Sequence, residues 1–461
     1  MSLDIAVVLI YAAAMAALGW FGMRRARSRE DYLVAGRNLG PGFYMGTMAA
    51  TVLGGASTIG TIRLGYVYGI SGFWLCAALG LGIVGISLFL ARPLLKLRIY
   101  TVTQVLERRY NAAARHASGM VMLVYALMLA ATSVIAIGTI VQVLFGIPFW
   151  IAILCGGGLV VVYATLGGMW SLTLTDVVQF LIMTVGMVFL LMPLSVEKAG
   201  GLEGLAAALP DSFFSPTAIG WDTIITYFLI YFFGIFIGQD VWQRVFTARS
   251  QRVATVAGTA AGIYCVLYGL AGALVGMAAH VLIPDIDDPN NAFASVVQLS
   301  LPYGIRGLVI AAALAALMST AAAGLLAAST SFSQDVLPLL TGAGSDEGDD
   351  NAHENRRWTF ILGIVVLGIS LVISDVIGAL TVAYNLLVGG MLVPLIGAIY
   401  WRRATTAGAI CSMALGFATV VAFMIKDGMA ANTPIYFGLG VALASFVVVS
   451  MLSRSRRAVA A

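Results

Sequence analysis

Charge is what this 461-residue chain has least of: Asp, Glu, Lys and Arg make up 10% of it, while 61% is apolar. A soluble domain carries about 25% charged residues, and no soluble core absorbs this much apolar surface. Cysteine is scarce as well. Cys76, Cys155, Cys265 and Cys411 lie singly in apolar runs without Cys-x-x-Cys or Cys/His spacing, so they read as small buried hydrophobes and speak for neither disulfides nor a metal centre. A Gly-x-x-x-x-Gly-Lys-Ser/Thr run is missing, as is any soluble segment large enough for an ATPase, which excludes ATP-driven transport within this chain. Nothing resembles a repeated filter or a ring of charges, which disfavours a passive channel. Asp4 precedes the first apolar stretch, Ile5 to Trp20, and arginines follow it. That is the reverse of a cleaved signal peptide, so the stretch is expected to stay as a membrane helix.

What the chain has is apolar runs of roughly 18 to 30 residues, each long enough at 1.5 Å per residue to cross a hydrocarbon core of ~30 Å. They predict an all-α polytopic membrane protein of about 13 spans. These lie near 3–23, 41–66, 72–98, 115–143, 147–166, 173–194, 221–246, 255–283, 303–337, 358–374, 376–400, 404–425 and 433–453. Alternate loops hold the basic residues. One side collects 21 of the 25, among them Arg24, Arg37, Arg92, Arg109, Arg115, Arg244, Arg249, Arg356, Arg402 and the tail Arg454, Arg456 and Arg457. Arg63, Lys198, Arg306 and Lys426 are left for the other. Charge in short loops sets orientation, so the rich side is expected to be cytoplasmic, with the amino terminus outside and the carboxyl terminus inside. No organelle-targeting segment is apparent, and the short loops suit an integral plasma membrane protein of the bacterial inner-membrane kind. Pro284 to Asn291 reads as a solvated acidic cap, and Ser345 to Asn355 as an acidic linker.

The stretch Met48 to Gly60 interrupts the second span. Gly54 and Gly55 are followed by Ser57 and Thr58, whose hydroxyls compete for backbone hydrogen bonds. In lipid, a broken helix is tolerated where its freed carbonyls line a cavity, the arrangement by which transporters hold ions and substrates. A small-residue packing face is the plainer alternative. Far along the chain, Ser319 and Thr320 are adjacent hydroxyls in an apolar run. Hydroxyls and unwound carbonyls together make a neutral oxygen cage for a hard monovalent cation such as sodium; calcium or magnesium would call for clustered carboxylates. Charges within spans are functional candidates by default. Asp176 lies about two turns inside its span, with a structural anchor as its alternative role. Asp240 stands four residues before Arg244, the spacing of an i,i+4 ion pair. Arg63, in the outer half of the broken helix, either snorkels to the interface or meets a substrate carboxylate.

Several stretches, in order, resemble the sodium/solute symporter family, whose members carry proline, sugars, pantothenate, sialic acid and choline. They are Tyr32 to Gly40, the Ala49 to Gly60 break, Gly167 to Ser171 leading to Thr175 to Gln179, Gly238 to Arg244, and Ala316 to Asp335. The resemblance implies a leucine-transporter-like architecture. One leading helix and its loop (1–40) would precede a first five-helix repeat (41–194), an extracellular loop (195–220), a second, inverted repeat (221–400) and two trailing helices (401–461). It implies sodium held by the carbonyls of Ala50, Leu53 and Ala316 and the hydroxyls of Ser319 and Thr320, with Asp176 near the inward ion exit. Members that bind a second sodium have serines where this chain has Ala322 and Ala323, so one sodium is expected. Val52 replaces the tryptophan of the choline branch, and a quaternary ammonium wants an aromatic face. Ser57, Thr58, Gln239 and Asp240 are the expected substrate contacts, with Asp240 suited to an amine or guanidinium. The expected function is sodium-coupled import of a small organic solute, without covalent chemistry and without a nucleic-acid partner. Proton coupling through Asp176 or Asp240 is the rival within transport, and a transporter-like membrane sensor is the rival outside it.

Overall fold

A computed structural model describes residues 2–286, 288–341, 352–373, 376–429 and 431–453. Asp287 of the acidic cap, residues 345–351 of the acidic linker and the tail arginines Arg454, Arg456 and Arg457 lie outside the described residues. Among the described residues every element is a helix. That follows from the medium: no water reaches a hydrocarbon core to satisfy an open backbone, so each apolar run must bond internally.

In chain order the main helices are α1 (Ser2–Arg25), α2 (Pro41–Val52), α3 (Thr61–Tyr68), α4 (Trp74–Gly85), α5 (Ala112–Phe145) and α6 (Phe149–Met183). Then come α7 (Trp221–Ile237), α8 (Gln239–Thr247), α9 (Gln251–Leu282) and α10 (Ile305–Ser331). The last four are α11 (Ala352–Val372), α12 (Val376–Tyr400), α13 (Thr406–Asp427) and α14 (Thr433–Leu452). Side-chain caps start several of them cleanly: Asn111, Ser250 and Thr405 accept from the backbone N–H of Ala114, Val253 and Gly408.

Ten helical stretches among the described residues are long and apolar enough to cross a membrane, and 11 if the bent pair α7–α8 is one span. Two account for much of the difference from the expected 13. Ala56–Leu97 and Phe149–Lys198 run 42 and 50 residues without a gap in helical assignment. Each nevertheless passes through a glycine that turns the chain. Gly69 has φ +66°, and Gly168, inside α6, has φ +51° and ψ −133°. At Gly168 a side chain is excluded twice over, by the backbone angle and because its Cβ would lie 2.4 Å from the Tyr32 carbonyl.

The axis of the molecule is α10. Of its most apolar 18 residues 89% are buried, against 28% for α1 and α14, which leaves those two at the periphery. Alanines and Gly324 let α10 pack closely on α5 and α6, while α9 packs on α2, α3 and α4. The broken second span is thereby held between α9 on one flank and α6 and α10 on the other.

Candidate ion and solute site

The helix α2 ends at Val52, and Leu53 leaves helical geometry at φ −81° and ψ 66°. The Gly54 N–H turns back to the Val52 carbonyl at 2.9 Å, instead of reaching the Ala50 carbonyl as a continued helix would. Chain direction resumes in a wide turn over Ala56–Gly60 that leads into α3. Into this break comes Thr320 from the middle of α10. Its Oγ1 lies 2.9 Å from the Thr51 carbonyl and 3.3 Å from the Ala316 carbonyl of its own helix. Closeness here depends on Gly54, where a Cβ would stand 2.5 Å from Thr320 Oγ1. The residues Ala50, Leu53, Ala316, Ser319 and Thr320 are thus gathered at one crossing, and all are buried.

One side chain away, Ser319 Oγ donates to Asp176 Oδ1 at 2.6 Å. Thr47 Oγ1, one turn before the break, donates to the other carboxylate oxygen. The same Oδ2 lies 3.5 Å from Arg244 Nη2. Arg244 was expected in a basic loop, or paired with Asp240 four residues back. It is instead wholly buried, its charge faces Asp176, and it reaches only the backbone carbonyl of Asp240, at 3.3 Å. The reason is the short α8, which follows the bend at Gly238 and turns into the protein rather than out to the interface. Thr47 and Arg244 carried no signal in the sequence that tied them to Asp176.

The α7–α8 pair bends by 45° at Gly238, immediately before Gln239 and Asp240. Asp240 accepts a hydrogen bond from Tyr125 at 2.9 Å and forms no salt bridge among the described residues. Tyr125 and Tyr231 both pack edge-on against Tyr384, with ring centroids 5.3 Å apart in each pair. Thr51, Ser57, Ser133, Asp240, Thr320 and Tyr384 line a chamber of about 20 Å³ beside the break. Gln239 turns elsewhere: its amide holds the Val102 N–H at 3.0 Å and the Tyr100 carbonyl at 2.8 Å. Ser57 bonds back to the Val52 and Gly54 carbonyls, and Thr58 meets Tyr268 at 3.2 Å. Of the four substrate candidates, then, Ser57 and Asp240 face the chamber.

Above the chamber, and sharing Gly55 and Ala56 with it, lies a vestibule of about 670 Å³. Arg63, Asp288, Asn290, Gln298, Tyr303 and Arg306 are among the residues on its walls. The opposite end of the bundle is latched. There Arg115 bonds Asp335 at 2.9 Å, Glu107 at 2.8 Å and the Gln334 carbonyl at 2.6 Å, Thr101 adds a bond to Asp335 at 3.1 Å, and Arg29 reaches the Gln334 side chain.

This fold recurs in known proteins. A Na+-coupled sialic acid symporter, solved in a substrate-bound outward-open state, superposes with a TM-score of 0.84 at 22% identity, covering 98% of both chains. Mhp1, a nucleobase-cation-symport-1 family transporter solved in a closed conformation with bromovinylhydantoin bound, gives 0.59 at 15% identity, covering 93% of this chain and 94% of that one. Both similarities concern the fold, which is that of secondary membrane transporters. In sequence, the sodium/proline symporters of Staphylococcus aureus strains JH9 and NCTC 8325 are 24% identical over 468 residues, covering 96% of this chain and 90% of theirs. The profile of the Sodium:solute symporter family matches residues 32–416, and the chain belongs to that family. It is a membrane transporter rather than an enzyme, and sodium is its coupling ion.

Proposed function

We propose that the protein imports a small organic solute together with one sodium ion by alternating access. The observation that carries this is the direct bond from Thr320 to the Thr51 carbonyl, which ties the broken helix to α10 where hydroxyls and freed carbonyls converge. Sodium sits there on the carbonyls of Ala50, Leu53 and Ala316 and the hydroxyls of Ser319 and Thr320. By bridging the two helices it stabilises the open vestibule and orders the adjoining solute chamber. Linkage makes the effect mutual, each ligand raising the other's affinity by the same factor. The solute's amine or guanidinium meets Asp240, whose carboxylate forms no salt bridge among the described residues and stands beside the Tyr384 ring. Asp176, next to Ser319, marks the route by which the ion leaves inward.

If the turns at Gly69 and Gly168 each divide a span within the two longest helical stretches, and the bent α7–α8 pair is one more, the 10 stretches correspond to 13 spans. With that count, 41–194 and 221–400 form two inverted five-helix repeats whose first helices break at Leu53–Gly55 and at Gly238. The arginine-rich, latched end then faces the cytoplasm, and the vestibule opens outward. The amino terminus is outside and the carboxyl terminus inside, in a bacterial inner membrane.

Uptake into proteoliposomes tests the reading. Radiolabelled amino acids (L-proline among them), sialic acid, guanidino compounds, polyamines and sugars are offered with and without an inward sodium gradient. Sodium-driven uptake of one class, lost in Ser319→Ala and in Thr320→Ala, is the expected result. Undiminished uptake in potassium that follows a pH gradient would replace sodium by protons at Asp176 or Asp240.

A further inference from the structure

The chamber beside Asp240, at about 20 Å³, has room for about one water molecule. The vestibule above it, at about 670 Å³, falls within the ~300–1,000 Å³ of sites that enclose a small organic ligand. In this conformation, therefore, a solute has its place in the vestibule, and the vestibule's walls decide what it is.

Four charged side chains are among the described residues that line those walls: Asp4, Arg63, Asp288 and Arg306. Three are committed. Asp4 Oδ1 accepts from the backbone N–H of Gly304 and Gly307 at 2.9 and 2.8 Å. Asp288 Oδ1 accepts from the backbone and side chain of Asn290, at 2.9 and 2.8 Å. Arg306 donates to the Gln298 carbonyl at 2.7 Å and to the Leu301 carbonyl at 3.2 Å, with its guanidinium over the Tyr303 ring. Arg63 is the exception. It is half-buried, its Nε is shielded from solvent without a partner, and it makes no hydrogen bond or salt bridge among the described residues. A guanidinium so placed is a fork of donors awaiting an acceptor.

We infer that Arg63 is an outer capture subsite for a carboxylate, and that the transported solute carries one such group. The inference rests on the reading of the chain as a solute symporter and adds the solute's anionic end. One unit of negative charge is what the cavity accommodates. Among the described residues its two arginines are balanced by two carboxylates, and Arg63 is the guanidinium without any hydrogen bond, so a doubly charged phosphate finds no second wholly free cation. Gly55, Ala56, Ile59, Gly60 and Arg63 all line the cavity and form one face of the outer half-helix, with Arg63 eight residues above Gly55. At 1.5 Å per residue the subsite stands about 12 Å above the floor. A compact zwitterion captured at Arg63 is passed on to Asp240 as the floor opens.

The test pairs each acid with its amide. L-proline with L-prolinamide, other amino acids with their carboxamides and sugar acids with theirs are compared for uptake into proteoliposomes, and for thermal protection of the purified full-length protein. The parent, Arg63→Gln, Arg63→Lys and Arg306→Gln are run together, each first shown to elute as a single peak. The expected result is an acid taken up or protecting where its amide does not. In Arg63→Gln the KM for that acid rises by ~10–100-fold, the loss of a charge-assisted hydrogen bond, while Arg63→Lys recovers part of it and Arg306→Gln keeps the preference for acid. Amides handled as well as acids, an unchanged KM in Arg63→Gln, or no acid selected in either assay would overturn the inference. Acid-selective, Arg63-dependent uptake that ignores sodium would leave the subsite standing and overturn the symport reading instead.

Discussion

Asp176 is a buried carboxylate with three side chains turned to it: Ser319, Thr47 and Arg244. The cost of burying a charge is offset only when it is paired and hydrogen-bonded, and removing one partner of such a pair typically costs about 3–5 kcal/mol. Arg244→Met is therefore expected to lower the thermal unfolding midpoint sharply, by tryptophan fluorescence in detergent. Adding Asp176→Asn to that variant should restore most of the loss, because no unpaired carboxylate is then left at position 176. If the single and double variants unfold alike, Arg244 does not stabilise the protein through Asp176. At the same scale, Asp240 differs from Asp176 in having a tyrosine donor but no salt bridge among the described residues, which is why it is the carboxylate proposed to meet the solute.

Among the elements, the interrupted span works by proximity. Gly54 lets the Thr320 side chain approach the backbone, and a Cβ there would meet Thr320 Oγ1 at 2.5 Å and Thr320 Cβ at 2.9 Å. Overpacking of this kind costs about 1–3 kcal/mol. Gly54→Ala should push α10 away from the break, so that the sodium concentration for half-maximal uptake rises by an order of magnitude or more. Gly42→Ala, in the half-helix before the break with nothing within 4 Å of its added methyl, should leave that concentration unchanged. Equal effects of the two substitutions would remove the special role of the Gly54–Thr320 contact. The second bend, at Gly238, has a different consequence: it carries Asp240 to the chamber and Arg244 to Asp176.

For the whole molecule, an ion that bridges two helices must stabilise the folded state. At a sodium concentration 100 times its Kd the gain is about 2.7 kcal/mol. Sodium chloride is therefore expected to raise the unfolding temperature of the purified protein above its value in potassium chloride, and Ser319→Ala should abolish the difference. A rise that survives in Ser319→Ala would place the ion elsewhere. The vestibule lies at one end and the Arg115–Asp335 ion pair closes the other, the asymmetry that the proposed alternating access calls for.

Composition and run length determined the class. Apolar stretches of bilayer length have one way to satisfy their backbones, so an all-helical membrane protein follows from the sequence alone. Also local, and equally legible, were the break at Gly54 and Gly55, the Ser319–Thr320 pair and the intramembrane carboxylates. The sequence could not tell which side chains meet. Arg244 looked like the partner of Asp240 because i,i+4 spacing is visible along a helix. Its charge pairs with Asp176, 68 positions away, because the bend at Gly238 rotates α8 inward. Gln239 was counted toward the solute and holds the loop at Tyr100 and Val102 instead, and the uncommitted state of Arg63 emerges only once its neighbours are found bonded to others. Hydrogen bonds between residues remote in sequence are chosen by packing, and packing is a property of the assembled helices.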